Sequence, residues 1–318
     1  MANEPTPELL PVRPAAAIEA DPQHSGWLIE GLWTQQGVGL IGGAPKCCKT
    51  WLALDLAVSV ASGTPALGRF SVRERGPVLF YGAEDAAAHL RTRIESIAAA
   101  RRIGLSGLDL GLILCPSLRL DAAHDRARLA ATLAHHRPRL LILDPLVRLH
   151  RIDENSATEM AALLAELRLL QRRYQLALVL VHHLRKQSGP VDGQALRGSS
   201  DLHAWGDSNL FLRRRHQQLL LTAEHRTAPA PPPCTLELAG ETTPHLRVVD
   251  PEPDDPLQPT AELADRILAA LARAERPLSR DALRETLGIR NATLGEILAR
   301  LRAERRIERR DGGFVLDR

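Results

Sequence analysis

One stretch of this sequence has the residue types and the spacing of a phosphate-binding loop. It runs Gly43-Ala44-Pro45-Lys46-Cys47-Cys48-Lys49-Thr50 and follows the pattern G-x-x-x-x-G-K-[ST], except that Cys48 stands at the second glycine. In such a loop the backbone N–H groups surround the phosphates, the lysine binds the β and γ oxygens, and the threonine hydroxyl binds Mg²⁺. The sequence therefore predicts that residues Gly43 to Trp51 bind ATP, with Thr50 as a ligand of Mg²⁺.

The surroundings of this loop support the same interpretation. Only three lysines occur in the chain, and two of them, Lys46 and Lys49, lie in the loop. An apolar run at 38–41 precedes the loop as a buried strand would, and residues 51–58 have helical apolar spacing. A helix there would direct the positive end of its dipole at a bound anion. A glycine-rich turn that matches the pattern by chance is the alternative.

The composition places the chain among globular proteins of about two domains. Its 318 residues are 44% hydrophobic and 25% charged, and no apolar run approaches the ~20 residues of a membrane helix. The four cysteines have neither C-x-x-C nor zinc spacing, so we expect a reduced, cytoplasmic protein without a membrane partner. A net charge of +3 neither indicates nor excludes a nucleic-acid partner.

Apolar segments alternate with segments of helical periodicity along the first two-thirds of the chain. The predicted strands are 38–41, 77–81, 110–114, 140–143, 176–181, 209–212, 218–222 and 235–238, and the predicted helices are 50–62, 86–102, 124–136 and 157–173. Apolar strands separated by helices predict an α/β fold with a mostly parallel sheet covered on both faces. Ligands of such sheets bind at the carboxyl ends of the strands, where polar residues become site candidates.

Polar side chains follow three of the predicted strands. Asp144 ends one strand and is expected to hold Mg²⁺. Glu84 follows another and is expected to polarise the water that attacks the γ-phosphate, while Asp85 is expected to cap the next helix. His182 and His183 end a third strand, where one of them would sense the γ-phosphate. Outside a nucleotide site, the alternatives are an ordinary strand-end acid, a helix cap and loop histidines.

Taken together, these motifs resemble those of RecA-like ATPases. The motifs that carry the resemblance are Gly43 to Thr50, Tyr81-Gly82-Ala83-Glu84-Asp85, Leu143-Asp144-Pro145, His182-His183 and Leu196-Arg197-Gly198-Ser199-Ser200. The closest group is the plasmid replicative helicase family RepA with its AAA-type relatives, and the resemblance covers residues 26 to 246. It implies a RecA-like core in a homo-oligomeric, hexameric ring with ATP at the subunit interfaces. It also implies catalytic roles for Lys49, Glu84 and His182 or His183, and metal binding by Thr50 and Asp144.

The chain departs from that family at two places. Cys48 adds a side chain where the backbone approaches phosphate, which predicts either weak ATP binding or a site sensitive to oxidation. The family's arginine finger lies in an Asn-x-Arg-Trp segment, but the corresponding residues 204–208 contain no arginine. The segment Thr222–Arg226 instead resembles the late strand that supplies a finger in DnaB-type motors. Arg226 is therefore the predicted finger, and a surface salt bridge is the alternative.

Two basic regions are predicted to contact DNA. Residues 184–200 lie where ring ATPases of this class bind single strands, so Arg185, Lys186 and Arg197 are expected to meet phosphates. An ordinary solvated loop is the alternative. The C-terminal region has three predicted helices, 261–273, 280–287 and 292–304, and a hairpin at 306–316. This order resembles a winged helix that binds duplex DNA, through residues that include Arg300 and Arg306, although such domains also mediate protein contacts.

The sequence thus predicts four regions and one function. The regions are a disordered segment at 1–24, a RecA-like ATPase domain at 25–249, a Pro/acid linker at 250–260 and a winged helix at 261–318. The predicted function is an ATP-driven motor on DNA, a helicase or loader in replication or recombination of a mobile element. The alternatives are a slow, nucleotide-switched regulatory DNA-binding ATPase without translocation, and a binding module in which Cys48 has inactivated the loop.

Overall fold

The computed structural model describes residues 11–17, 26–154, 156–184, 200–215, 218–249, 259–274, 276–287, 291–310 and 313–317. Contacts divide the chain into two units, Met1–Val249 and Asp250–Arg318. Most of the predicted disordered segment and linker lies outside the described residues, as do the predicted DNA contacts Arg185, Lys186 and Arg197. Within the described ranges, no helix combines the length and hydropathy needed to cross a membrane.

The first unit consists of alternating strands and helices followed by a series of strands. Its strands are β1 (Trp27–Ile29), β2 (Trp33–Thr34), β3 (Val38–Gly43), β4 (Val78–Gly82), β5 (Leu110–Leu112), β6 (Leu140–Asp144), β7 (Ala177–His183), β8 (Ser208–Arg215), β9 (Gln218–His225), β10 (Cys234–Ala239) and β11 (His245–Val249). Its helices are α1 (Lys49–Ser62), α2 (Ala87–Ala100), α3 (Ala123–His136), α4 (Ala157–Tyr174) and α5 (Ser200–Trp205). Each strand and helix predicted for this unit is present, with ends that differ by a few residues.

Strands β3 to β11 form one sheet in the order β11-β10-β9-β8-β3-β7-β6-β4-β5. Strands β3 to β8 are parallel to one another, and β9, β10 and β11 extend the sheet in antiparallel fashion. The predicted mostly parallel α/β fold is confirmed. The sequence did not predict β11 or the β1–β2 hairpin, because these strands are only two to five residues long.

The sheet carries a hydrophobic core on each face because its central strands are apolar along most of their length. In β6, Leu140 and Ile142 contact the core that contains α1 and α2, whereas Leu141 and Leu143 contact the core that contains α3 and α4. Successive side chains of a strand point to opposite faces, so one continuous apolar run supplies both cores. Helices therefore cover both faces, and the strand ends stay open for a ligand.

A buried ion pair fixes α1, the helix that follows the phosphate loop, to the end of α2. The Asp55 carboxylate is 1% exposed and accepts a hydrogen bond from the Arg101 guanidinium at 2.5 Å. Its second oxygen accepts the backbone N–H of Leu67 at 2.7 Å, and Arg101 also donates to the hydroxyls of Ser59 and Thr64. The pair is thus hydrogen-bonded on both sides, as a buried charge requires.

The second unit contains three helices followed by a hairpin. These elements are α6 (Pro259–Arg273), α7 (Arg280–Leu287), α8 (Asn291–Ala303), β12 (Ile307–Arg310) and β13 (Gly313–Leu316). Ile267, Leu283, Leu298 and Ile307 are buried in its own small core, and Phe314 exchanges two backbone hydrogen bonds with Leu278. The three helices and the hairpin lie where they were predicted, while the assignment as a winged helix stays a prediction.

We expect Asp55→Ala to lower the free energy of unfolding of the first unit by about 3–5 kcal/mol, because it leaves the Arg101 guanidinium buried without its carboxylate. Urea titration followed by circular dichroism measures this loss. The matched control is Glu95→Ala, which breaks the exposed Arg91–Glu95 pair of α2 and is expected to cost less than about 1 kcal/mol. Equal effects of the two substitutions would contradict a special role for the buried pair.

Candidate functional site

The phosphate loop leaves the centre of the sheet, where four neighbouring strands end together. It connects β3 to α1, and the strands next to β3 on one side are β7, β6 and β4 in that order. The site residues predicted at strand ends follow these strands. Residues that are far apart in the sequence therefore meet at one edge of the sheet, as the fold class requires.

A cavity of about 270 Å³ lies at this edge. Its lining residues are Lys46, Cys47, Cys48, Lys49, Thr50, Trp51, Glu84, Asp85, Arg93, Asp144 and His183. Predicted residues from the loop and from all three neighbouring strands thus share one cavity. Gly43, Ala44 and Pro45 form the start of the loop and are not among the lining residues.

The loop conformation explains why the motif has glycine where this chain has Cys48. Cys48 has φ 61° and ψ 28°, in the left-handed region, where a residue with a Cβ costs roughly 1–2 kcal/mol more than glycine. The first glycine of the motif, Gly43, is required for a steric reason. A Cβ at this position would lie 2.6 Å from the carbonyl oxygen of Leu212 in β8. Cys48 therefore keeps the backbone conformation of the motif, with added strain.

Lys49 is almost completely buried at the first turn of α1. It is 5% exposed, and its ammonium donates a hydrogen bond to the carbonyl oxygen of Ala44 at 2.9 Å. Burial lowers the pKa of Lys49, and the neighbouring acidic groups, including Asp144, oppose that change. A cation held this way is already desolvated and gains from an anion that enters the cavity.

Asp144 and Thr50 both line the cavity and contact each other. The Thr50 hydroxyl donates a hydrogen bond to the Asp144 carboxylate. The pKa of Asp144 is raised to about 6, chiefly by burial and also by the nearby Asp85, although the bond from Thr50 and the charge of Lys49 oppose the rise. A hydroxyl beside a carboxylate is the oxygen donor set that Mg²⁺ accepts together with phosphate oxygens and water. The described residues contain no group of three or more His, Cys, Asp or Glu that could hold a metal ion.

Glu84 already has a partner that the sequence did not reveal. Its carboxylate accepts a hydrogen bond at 2.7 Å from Nε of Arg148, which lies in a short 3-10 turn, Leu146–Arg148, soon after β6. Both side chains are largely exposed, at 61% for Arg148 and 44% for Glu84. An ion pair this exposed is worth at most about 1 kcal/mol, so Glu84 can exchange Arg148 for water.

The prediction that Asp85 caps the next helix is wrong. α2 begins at Ala87 after Ala86, and no side chain caps its first turn. Asp85 instead forms a bidentate ion pair with Arg93 one to two turns along α2, with a shortest distance of 2.6 Å. The Arg93 guanidinium also lies 5.7 Å from the centre of the Trp51 ring, so α2 adds a cation to the cavity wall.

The structure separates the two histidines at the end of β7. His183 lines the cavity, whereas His182 does not. Burial lowers the pKa of both, and that of His182 falls to about 4. Both rings are therefore neutral at physiological pH, and His183 is the one placed to contact a ligand.

Arg226 lies at the opposite edge of the sheet from the phosphate loop of its own chain. It follows β9, and the end of β9 pairs with the start of β8. Its guanidinium donates to the carbonyl oxygens of Ala204 and Trp205 at the end of α5 and lies 3.5 Å from the Asp207 carboxylate. Within its own chain, Arg226 thus forms the ion pair of the alternative interpretation.

The AAA domain family matches residues 3–189, more than half of the chain. The chain belongs to the AAA domain family. The chain also resembles two solved structures, one described as an ATPase domain and the other as "The Structure Of A DnaB-Like Replicative Helicase And Its Interactions With Primase". Each has a TM-score of 0.51, 16% identity and coverage of 68% of this chain, with 86% of the first structure and 58% of the second covered. The shared fold is that of a RecA-like P-loop ATPase domain.

We expect Asp144→Asn to stabilise the nucleotide-free protein at pH 7.5 by about 1–3 kcal/mol. The pKa of Asp144 is raised from 3.8 to about 6 in the folded state, so the folded protein holds this proton more tightly than the unfolded chain does. Its contribution to stability is therefore present below about pH 4 and is lost as the pH rises through 6.

Thermal unfolding at several pH values checks this expectation. The gain from Asp144→Asn should shrink at pH 5 and disappear below pH 4, and the exposed Asp109→Asn serves as the control. If the variant is no more stable than the wild type at pH 7.5, the buried Asp144 carboxylate does not lower the free energy of unfolding, and the expectation is wrong.

Proposed function

We propose that this AAA protein binds ATP with Mg²⁺ and hydrolyses it. The observation that carries the proposal is the single cavity shared by Lys49, Thr50, Glu84, Asp144 and His183. These residues supply a desolvated cation, two oxygen ligands for Mg²⁺, a carboxylate and a neutral imidazole. That combination is what phosphoryl transfer to water requires.

Each residue has a proposed role in that reaction. Lys49 and the loop N–H groups bind the phosphates, and Thr50 with Asp144 holds Mg²⁺, which when bound neutralises developing charge on the phosphate oxygens. Glu84 orients the attacking water and accepts its proton. His183, or His182 through it, responds to the γ-phosphate.

We further propose that the protein acts on DNA as a ring-forming, hexameric motor, a helicase or loader in replication or recombination. The similarity to an ATPase domain and to a DnaB-like replicative helicase supports this proposal. Arg185, Lys186 and Arg197 are the proposed contacts to single strands. The second unit, as a winged helix, is the proposed contact to a duplex.

The arginines of α8 and the following hairpin differ in their availability for a duplex. Arg300 pairs with Glu304, and Arg306 pairs with Asp265 and Glu304. Arg302, Arg305 and Arg309 are exposed. We therefore propose that these three meet phosphates first, and that Arg300 and Arg306 join them by exchanging their carboxylate partners.

ATP hydrolysis with and without single-stranded DNA tests the motor. We expect Mg²⁺-dependent hydrolysis that rises with single strands, and we expect Lys49→Ala to abolish it by removing the buried cation. Glu84→Gln should retain ATP binding but lose about 10²–10⁴-fold in kcat, since a positioned general base contributes that much. Wild-type activity in either variant would refute the assignment of the site.

Arg226→Ala tests the proposed finger in a neighbouring subunit. Loss of turnover with unchanged nucleotide affinity is expected, because an arginine finger stabilises charge in the transition state and contributes roughly 10³–10⁵-fold where it has been studied. Arg168→Ala is the matched control, since Arg168 also binds Asp207 and the Trp205 carbonyl oxygen. Unchanged turnover, or equal losses in the two variants, would assign Arg226 to the structural ion pair alone.

The Arg148–Glu84 pair favours a second candidate, a nucleotide-switched regulatory ATPase with slow turnover and no translocation. A carboxylate occupied by arginine is less available to water, which lowers basal hydrolysis. Tight duplex binding with hydrolysis indifferent to single strands would select this candidate. If the wild type does not bind ATP and Cys48→Gly does, the chain is a binding module inactivated at its loop.

A further inference from the structure

The phosphate loop contains two residues other than glycine in the left-handed region. Lys46 has φ 64° and Cys48 has φ 61°. Such conformations persist only where the surrounding structure holds them. In a phosphate loop they matter, because alternating conformations turn successive N–H groups toward one anion.

Arg214 of β8 contacts both of these residues. Its Nη2 donates a hydrogen bond to the carbonyl oxygen of Lys46 at 2.9 Å, and the same nitrogen lies 3.9 Å from the Cys48 sulfur. Burial raises the pKa of the Cys48 thiol, and Arg214 is the first of the groups that oppose this change. One guanidinium thus bridges the two strained positions.

The sheet explains why this arginine reaches the loop. β8 is parallel to β3, with Leu212 opposite Gly43 at the end of β3. Arg214 lies two residues further along the same strand, where β3 has already turned into the loop. Its position is therefore set by a hydrogen-bonded ladder, and β8 is held on its other side by β9.

We propose that Arg214 is a positioning residue that holds the phosphate loop in its binding conformation and thereby compensates for Cys48 in place of glycine. Glycine adopts this conformation without help, so the need for Arg214 depends on Cys48. This inference rests on the proposed nucleotide binding at the same site. It predicts an energetic coupling between residues 48 and 214.

A double-mutant cycle in nucleotide affinity tests the coupling. Arg214→Ala should weaken ATP binding about tenfold in the wild-type background, as expected for the loss of a hydrogen bond from a charged group. In the Cys48→Gly background the same change should have an effect of less than about threefold. Equal losses in both backgrounds would show that Arg214 binds the nucleotide directly and would overturn the proposal. Arg213→Ala, on the opposite face of β8, is the control.

Thiol reactivity in the nucleotide-free protein provides an independent readout. We expect Arg214→Ala to raise the rate constant for alkylation of the Cys48 thiolate by iodoacetamide about fivefold, because the loop is then less restrained. Rates are measured on the Cys48 peptide by mass spectrometry over a range of pH, so that this rate constant is separated from the higher thiol pKa that loss of the Arg214 cation causes. An unchanged rate would overturn the proposal even if ATP binding is normal. If the wild type does not bind ATP but the rate rises, the proposed nucleotide function fails while the positioning role stands.

Discussion

The close packing of β8 against β3 is the constraint on which the rest of the site depends. A Cβ at Gly39 would lie 1.7 Å from the carbonyl oxygen of Ser208, and one at Gly43 would lie 2.6 Å from that of Leu212. With no side chains at these positions, the two backbones approach closely, and the loop that follows β3 lies within reach of β8. The same strand pairing places β7, β6 and β4 on the other side, with their polar ends around the loop.

The electrostatics of the cavity are arranged for a ligand that carries charges of its own. Burial lowers the pKa of Lys49 and is the main cause that raises the pKa of Asp144 to about 6. Without a nucleotide, the charged forms of both groups therefore lower the free energy of unfolding. A polyanion with a bound cation would complement both. Stability is thereby lower in the empty site, as is common where a binding site requires buried charge.

The sequence predicted the sheet and most of the site because both follow from local patterns. Apolar runs identified the parallel strands, and polar residues at their ends pointed to Glu84, to Asp144 and to His182 or His183 as candidates. The order of the strands does not follow from such patterns, and neither do the partners of individual arginines. Arg93, Arg148 and Arg214 line or contact the site, yet all but three of the 41 basic residues are arginine, so composition could not single them out. Asp85 shows the same limit, since its carboxylate pairs with Arg93 eight residues further along the chain and does not cap the first turn of α2.

The hairpin of β8 and β9 connects two arginines at its opposite ends. Eight residues of each strand pair without interruption, from Ser208 opposite His225 to Arg215 opposite Gln218, a length of roughly 25 Å. Arg214 contacts the phosphate loop near one end, and Arg226 follows the other. Because the pairing is unbroken, one hydrogen-bonded hairpin sets the positions of both arginines. A substitution that disrupted this pairing would therefore disturb Arg214 and Arg226 together, although they lie at opposite ends of the strands.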